Sequence, residues 1–167
     1  MPTAAEAPKD PPGPRERDLL RRLAAGTAGV VGDAFLRAMV RHLAAAFGAE
    51  LAFIGEHLPA PADGRVRVLA SWQNGVELRE GYEFEMDDSM PCSVVRSAGL
   101  LVLPDGTCTA FPGDRYVRDF GLDSYLGVAL PGAGEEHVGY VALMSSHAMD
   151  PDGDELAVLR IFAARAG

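Results

Sequence analysis

Cysteine, lysine and long apolar runs are all scarce in this sequence, and each scarcity closes off a class. Two cysteines, Cys92 and Cys108, are too few for a disulfide scaffold or a zinc site built of thiolates, so both are expected reduced. Lys9 is the only lysine, and fifteen basic residues stand against twenty-four acidic ones. The resulting net charge of −9 repels phosphate backbones and anionic lipid, so neither nucleic acid nor a membrane surface is expected as a partner. No apolar run approaches the roughly 20 residues that span a bilayer. The N-terminus carries acidic residues and prolines where a signal peptide needs an apolar stretch, and the expectation is a cytoplasmic protein. No Gly-x-Ser-x-Gly, His-Glu-x-x-His or phosphate-loop motif occurs. His42, His57, His137 and His147 are scattered without metal-ligand spacing, so no metal site and no catalytic residue is expected.

What is present is enough apolar sequence, 48% of 167 residues, for one domain with a real core. Residues 1–14 hold five prolines and almost nothing large and apolar, which predicts a disordered arm. Leu19, Leu20 and Leu23 then recur at helical spacing ahead of Gly26, a helix with a glycine stop; residues 15–29 are this helix and a connector. Phe35, Met39, Leu43 and Phe47 recur every four positions before Gly48, a second helix. Leu51 to Leu58 and Val66 to Trp72 read as paired strands, Asn74-Gly75 as a tight turn, and Tyr82, Phe84 and Met86 as a strand with one wet face. Ser89 is placed to cap a short helix stopped by Gly99, followed by a strand from Leu100 to Leu103. Asp114 similarly caps a short helix closed by Gly121. Tyr125 to Leu130 and Val138 to Ser145 form a hairpin, and Asp150-Pro151 opens a closing helix. Antiparallel strands with helices packed on them make an α+β sheet.

Four of these stretches resemble one family. Ser89-Met90-Pro91-Cys92 with Val95 is similar to a Gly-Thr-Pro-Cys helix start, and Phe111-Pro112-Gly113-Asp114 leads into a Ser124-Tyr125-Leu126-Gly127 strand. Gly139 to Leu143 and the helix from Leu159 to Gly167 follow in the same order. Together they resemble the GAF domains at the N-termini of bacterial sensor kinases and related signalling chains, over residues 30–167. The sequence departs at Ser89-Met90, at Ala129 and at Met149, none of which removes a chemical group. The resemblance implies a central antiparallel sheet of five or six strands, helices on both faces, and a pocket between one face and the segment from Cys92 to Asp123. It implies a sensory role relayed to an output domain such as a histidine kinase, and no particular ligand or cofactor.

The expected lining of that pocket is Trp72, Cys92, Val95, Phe111, Tyr116, Phe120 and Tyr125, with Tyr116 and Tyr125 as polar handles; ordinary core packing is the competing reading for the aromatics. Cys92 reads either as a small buried side chain or, in the first turn of a helix, as a thiol that senses redox state or touches ligand. No histidine follows either cysteine, which weighs against bilin attachment, and the Asn-Lys-x-Asp-type signature of cyclic-nucleotide GAF domains is absent. Two other classes stay open: a thiol-dependent enzyme of the free methionine sulfoxide reductase type, and a ligand-free dimerisation or relay module. The last helix shows an apolar arc of Leu156, Val158, Leu159, Ile161 and Phe162, wider than one sheet-facing stripe, so a homodimer through the terminal helices is expected. Because no kinase, cyclase or DNA-binding sequence follows Gly167, the chain is expected to be a fragment or a regulatory subunit.

Overall fold

The computed structural model of the chain describes residues 13–78, 80–134 and 136–167, so the arm expected over residues 1–14 lies outside them except for its last two positions. Pro14 already opens a helix. This helix, α1 (Pro14–Thr27), has proline at its first position, where no intrahelical N–H is required, and buries Leu19 and Leu23. It runs through Gly26 instead of stopping there: a Cβ at that position would collide with the His42 ring, so the glycine serves close helix packing. The next helix, α2 (Asp33–Phe47), buries Phe35, Met39 and Leu43 and ends at Gly48, which adopts φ 66° and bonds the Ala44 carbonyl.

Among the described residues seven strands follow, in the order β1 (Leu51–His57), β2 (Arg65–Gln73), β3 (Val76–Glu77), β4 (Glu83–Glu85), β5 (Leu100–Leu103), β6 (Ser124–Pro131) and β7 (His137–Ser145). Between them lie α3 (Pro91–Ala98), α4 (Thr107–Ala110) and α5 (Arg115–Asp119), and α6 (Gly153–Ala166) closes the chain. Asn74 and Gly75 both take positive φ, the backbone that turns β2 tightly into β3. Three local details differ from expectation. The cap of α3 is Met90, because the Ser89 hydroxyl is engaged by the Asp87 carboxylate. Cys108 sits on α4, a single turn that the sequence pattern does not mark. The last helix starts after Asp152, which forms a capping box with Glu155, instead of at Asp150-Pro151.

The strands pair antiparallel in the order β3-β2-β1-β7-β6-β5, with β4 also on β2. Alternation along the strands divides the interior into two cores. Leu126, Val128 and Leu130 of β6 and Val141 and Leu143 of β7 pack with α1, α2 and α6, whereas Tyr125, Ala129, Tyr140, Ala142 and Met144 pack with Cys92, Val95 and Val117 on the opposite face. This is an α+β fold with helices on both faces of an antiparallel sheet. In α6, Val158, Leu159 and Phe162 are buried within the chain, because α1 as well as the sheet packs against this helix. Of the wide apolar arc, Ile161 is left 51% exposed.

Candidate functional site

On the sheet face away from α1, α2 and α6, the short segments around α3 and α5 stand off the strands and leave a cavity of about 820 Å³. Its floor is made by residues that share one strand face: Leu51 and Phe53 of β1, Tyr125 of β6, and Tyr140 and Met144 of β7. Met90, Pro91 and Cys92 at the start of α3 form one wall. Tyr82, Tyr116 and Phe120, all partly exposed, ring the mouth. Tyr116 and Phe120 lie one turn apart on and just after α5 with ring centroids 4.5 Å apart, and the Tyr116 hydroxyl donates to Gln73 Oε1 at 3.3 Å. Asp114 fixes this helix by accepting the backbone N–H groups of Tyr116 and Val117 at 2.9 and 3.2 Å.

Of the seven residues singled out in the sequence, Cys92, Tyr116, Phe120 and Tyr125 line the cavity, and Trp72, Val95 and Phe111 do not. Trp72 packs with the α2 and α6 core instead. The cause is a bulge in β2: Ile54 pairs with Ala70 and Gly55 with Val68, so Leu69 is the extra residue. Val66 and Val68 face the cavity side, the bulge reverses the alternation, and Ala70 and Trp72 turn to the other face. Val95 is fully buried one helical turn behind Cys92, between α3 and the sheet. Phe111 ends α4 and is half-buried away from the lining. The sequence reading passed over Leu51, Phe53, Tyr140 and Met144. Each lies on the strand face of Tyr125, and the period-two pattern of β1 and β7 carries that information.

The chemistry of the floor is set by burial. Tyr125 and Tyr140 are fully buried; the Tyr125 hydroxyl has no hydrogen-bond partner, and the Tyr140 hydroxyl has only the Cys92 thiol beside it. Their rings occupy niches left by glycine: a Cβ on Gly127 would lie 2.7 Å from the Tyr125 ring, and one on Gly55 would lie 3.2 Å from the Tyr140 ring. Burial pushes the Cys92 thiol up to about 11, with the Tyr140 hydroxyl beside it opposing and the Asp114 charge adding to the rise. Burial also drives both phenols well above the ordinary tyrosine value, with the nearby Cys92 as the next cause. The floor therefore holds three protonated groups at neutral pH. Cys108 lies only partly buried, its thiol directed at the Val117 and Leu122 carbonyls, and desolvation followed by the Asp123 charge raises it too. The lining carries three carboxylates, the exposed Asp87 and Asp119 and the buried Asp114, and Arg115 is the single cation among the described lining residues. No group of three or more histidine, cysteine, aspartate or glutamate side chains that could hold a metal occurs among the described residues. No helix among them is long and apolar enough to cross a membrane.

No family model matches the sequence, and no curated protein matches it. The fold does match solved structures. The GAF domain of the Acinetobacter phosphoenolpyruvate-protein phosphotransferase superposes with a TM-score of 0.71 at 16% identity, over 92% of this chain and 90% of that one. The GAF domain of nlh2 from A. aeolicus in an inactive state gives 0.64 at 16% identity, over 92% and 93%. The chromophore-binding domain of a bacteriophytochrome from R. palustris gives 0.64 at 11% identity, over 89% of this chain and 57% of that one. At such identities the likeness is one of fold, and the fold is that of GAF domains.

Proposed function

We infer that this GAF-fold chain is a cytoplasmic sensory domain of a signalling protein that holds a small molecule non-covalently in the cavity beneath α3 and α5. Residues 30–167 form the sensing unit after the helix and connector of residues 15–29, and the terminal helices carry its state onward to an output domain such as a histidine kinase. The observation that carries this reading is the cavity itself: about 820 Å³, walled by aromatic and aliphatic side chains with a few convergent polar groups, within the size range of ligand pockets. The bacteriophytochrome neighbour is named a chromophore-binding domain, which is consistent with a small molecule seated in this fold. The site favours recognition over turnover. Thiol chemistry needs a thiolate, and the environment moves both Cys92 and Cys108 away from one. For the homodimer the support is narrower and rests on Ile161, exposed on α6.

The test is a thermal-shift screen of uncharged, cationic and anionic metabolites. A ligand present at 100 times its Kd should stabilise the chain by about 2.7 kcal/mol. Phe120→Ala should weaken the response, and Phe111→Ala, away from the lining, should leave it intact. A screen with no stabilising compound, or one whose response is lost equally in both variants, would count against the reading.

A further inference from the structure

The two ends of the sheet are guarded differently. At one end stand β3 and β4, of two and three residues, carrying Glu77, Glu83 and Glu85. Short strands and charged side chains are common means by which an edge excludes another chain. At the other end β5 reads Leu100, Leu101, Val102 and Leu103, all half-buried and none charged. It has β6 on one side only. The Ala129 N–H donates to the Gly99 carbonyl, so in this register Gly99, Leu101 and Leu103 use their backbone groups toward β6, while Leu100 and Val102 turn theirs outward. Among the described residues no backbone hydrogen bond reaches those two from the open side.

Leu100 also borders a groove of about 310 Å³ between the start of β5 and α6, lined by Gly99, Val128, Pro131, His137 and Arg160 among others. Arg160 and His137 are the ionisable groups among its described lining residues, and no carboxylate joins them. His137 donates from Nδ1 to the Arg96 carbonyl at 2.9 Å, because a carbonyl only accepts, and its Nε2 lies toward Gly99. In a chain of net charge −9 this is a local exception. Past the other end of β5 the sign reverses: Asp105 is exposed, and the Met149 N–H bonded to the Pro104 carbonyl keeps the exposed Asp150 near it.

We propose that β5 accepts an extended segment of a partner protein as an added antiparallel strand, with an acidic side chain opposite Leu100 reaching Arg160 and a basic one near Asp105. This interface is separate from the cavity and goes beyond the sensory reading. Added in this way, the segment continues the antiparallel pairing of the whole sheet and bonds the outward groups of Leu100 and Val102. Residues opposite one another on paired strands share a face. Leu100 and Val102 pack toward the core that includes α6, so the residue facing Leu100 stands on the side of Arg160. Main-chain bonds supply affinity in such additions, and alternate side chains supply the choice of partner.

The probe is a blocked, dye-labelled heptapeptide, Lys-Thr-Thr-Val-Leu-Glu-Thr, whose valine faces Val102, whose glutamate faces Leu100 and whose lysine faces Asp105. Fluorescence anisotropy with the full chain reads its binding. N-methylation of the valine and the glutamate removes the two N–H groups directed at β5, and should weaken binding about tenfold or more. N-methylation of the leucine and the last threonine, whose N–H groups point away, should leave it unchanged. Replacing the peptide glutamate by glutamine should cost about two- to fivefold with wild type, and nothing with Arg160→Gln. Val102→Pro removes an outward N–H at an edge position that tolerates proline, so it should melt close to wild type and lose the peptide. Equal binding of the two N-methylated peptides would overturn strand addition, whatever the variants do. A glutamate preference that survives Arg160→Gln would overturn the acidic partner. Self-association of the wild type that Val102→Pro abolishes would make the occupant a second copy, which overturns the partner protein. Failure of every peptide to bind would overturn the proposal and leave the cavity reading untouched.

Discussion

At the scale of single residues, the environment of Cys92 has a consequence that stability measurements can read. Its thiol keeps its proton to about 11 in the folded chain, against about 9 for an ordinary thiol. Above pH 9 the unfolded chain loses this proton and the folded chain does not, so stability must fall as pH rises through that window. Tyr125 and Tyr140, also raised, push the same way once ordinary phenols begin to ionise near pH 10. On the acid side His57 works with the opposite slope. Burial, reinforced by the charges of Arg96 and His137 and opposed by Asp63, lowers it from 6.5 to about 4. Its contribution is complete above pH 6.5 and is lost as pH falls toward 4. Urea midpoints should therefore decline on both sides, with Cys92→Ala flattening the first part of the alkaline decline and His57→Phe flattening the acid one. A wild-type midpoint unchanged from pH 8 to pH 11 would contradict the protonated, buried floor.

At the scale of elements, α5 matters because a helix of five residues holds two of the three aromatic side chains at the mouth in register. So short a helix has little stability of its own and depends on its cap. Asp114 accepts two of its free N–H groups, although desolvation raises the carboxyl above the ordinary aspartate value. Asp114→Ala should cost about 1 kcal/mol by the usual worth of such a cap, while Asp114→Asn, which keeps an acceptor and removes a buried charge, should cost less. Chemical denaturation checks the order of the two variants; equal losses would mean that the cap does not hold the helix. This element was legible in the sequence because Asp114 and Gly121 bracket it with known chemistry. The hairpin of β6 and β7 was legible for a similar reason, since alternation and glycine-rich connection coincide. Trp72 was not, because one inserted residue at Leu69 reverses the face of everything after it, and no local pattern marks that insertion. Gly26 misled in another way: as a sequence symbol a stopping glycine and a glycine packed under His42 are the same. Phe111 differs again, since whether a loop aromatic turns inward depends on tertiary contacts absent from its neighbours in the chain.

At the scale of the whole molecule, the cavity and the terminal helices lie on opposite faces of one sheet, so occupancy can reach α1 and α6 only through the strands between them. The strands β6 and β7 are built for that by alternation. Tyr125 and Tyr140 face the cavity, while their chain neighbours Leu126 and Val141 pack in the core that includes α6. A ligand that shifts either tyrosine ring therefore bears on the seat of α6, but it changes the output only if it binds two helix arrangements with different affinity. The exposed side of α6 carries Ile161, the position where a second copy would report that change. Sedimentation velocity should show wild-type dimers and Ile161→Glu monomers. A saturating compound from the thermal-shift screen should shift the wild-type dissociation constant by a factor in the range of about 5 to 150, the usual span of coupling between sites. A wild type that stays monomeric at high concentration would rule out a second copy as the reporter. A dimer whose constant ignores the bound compound would instead break the link through the sheet, since binding would then be indifferent to how α6 is seated.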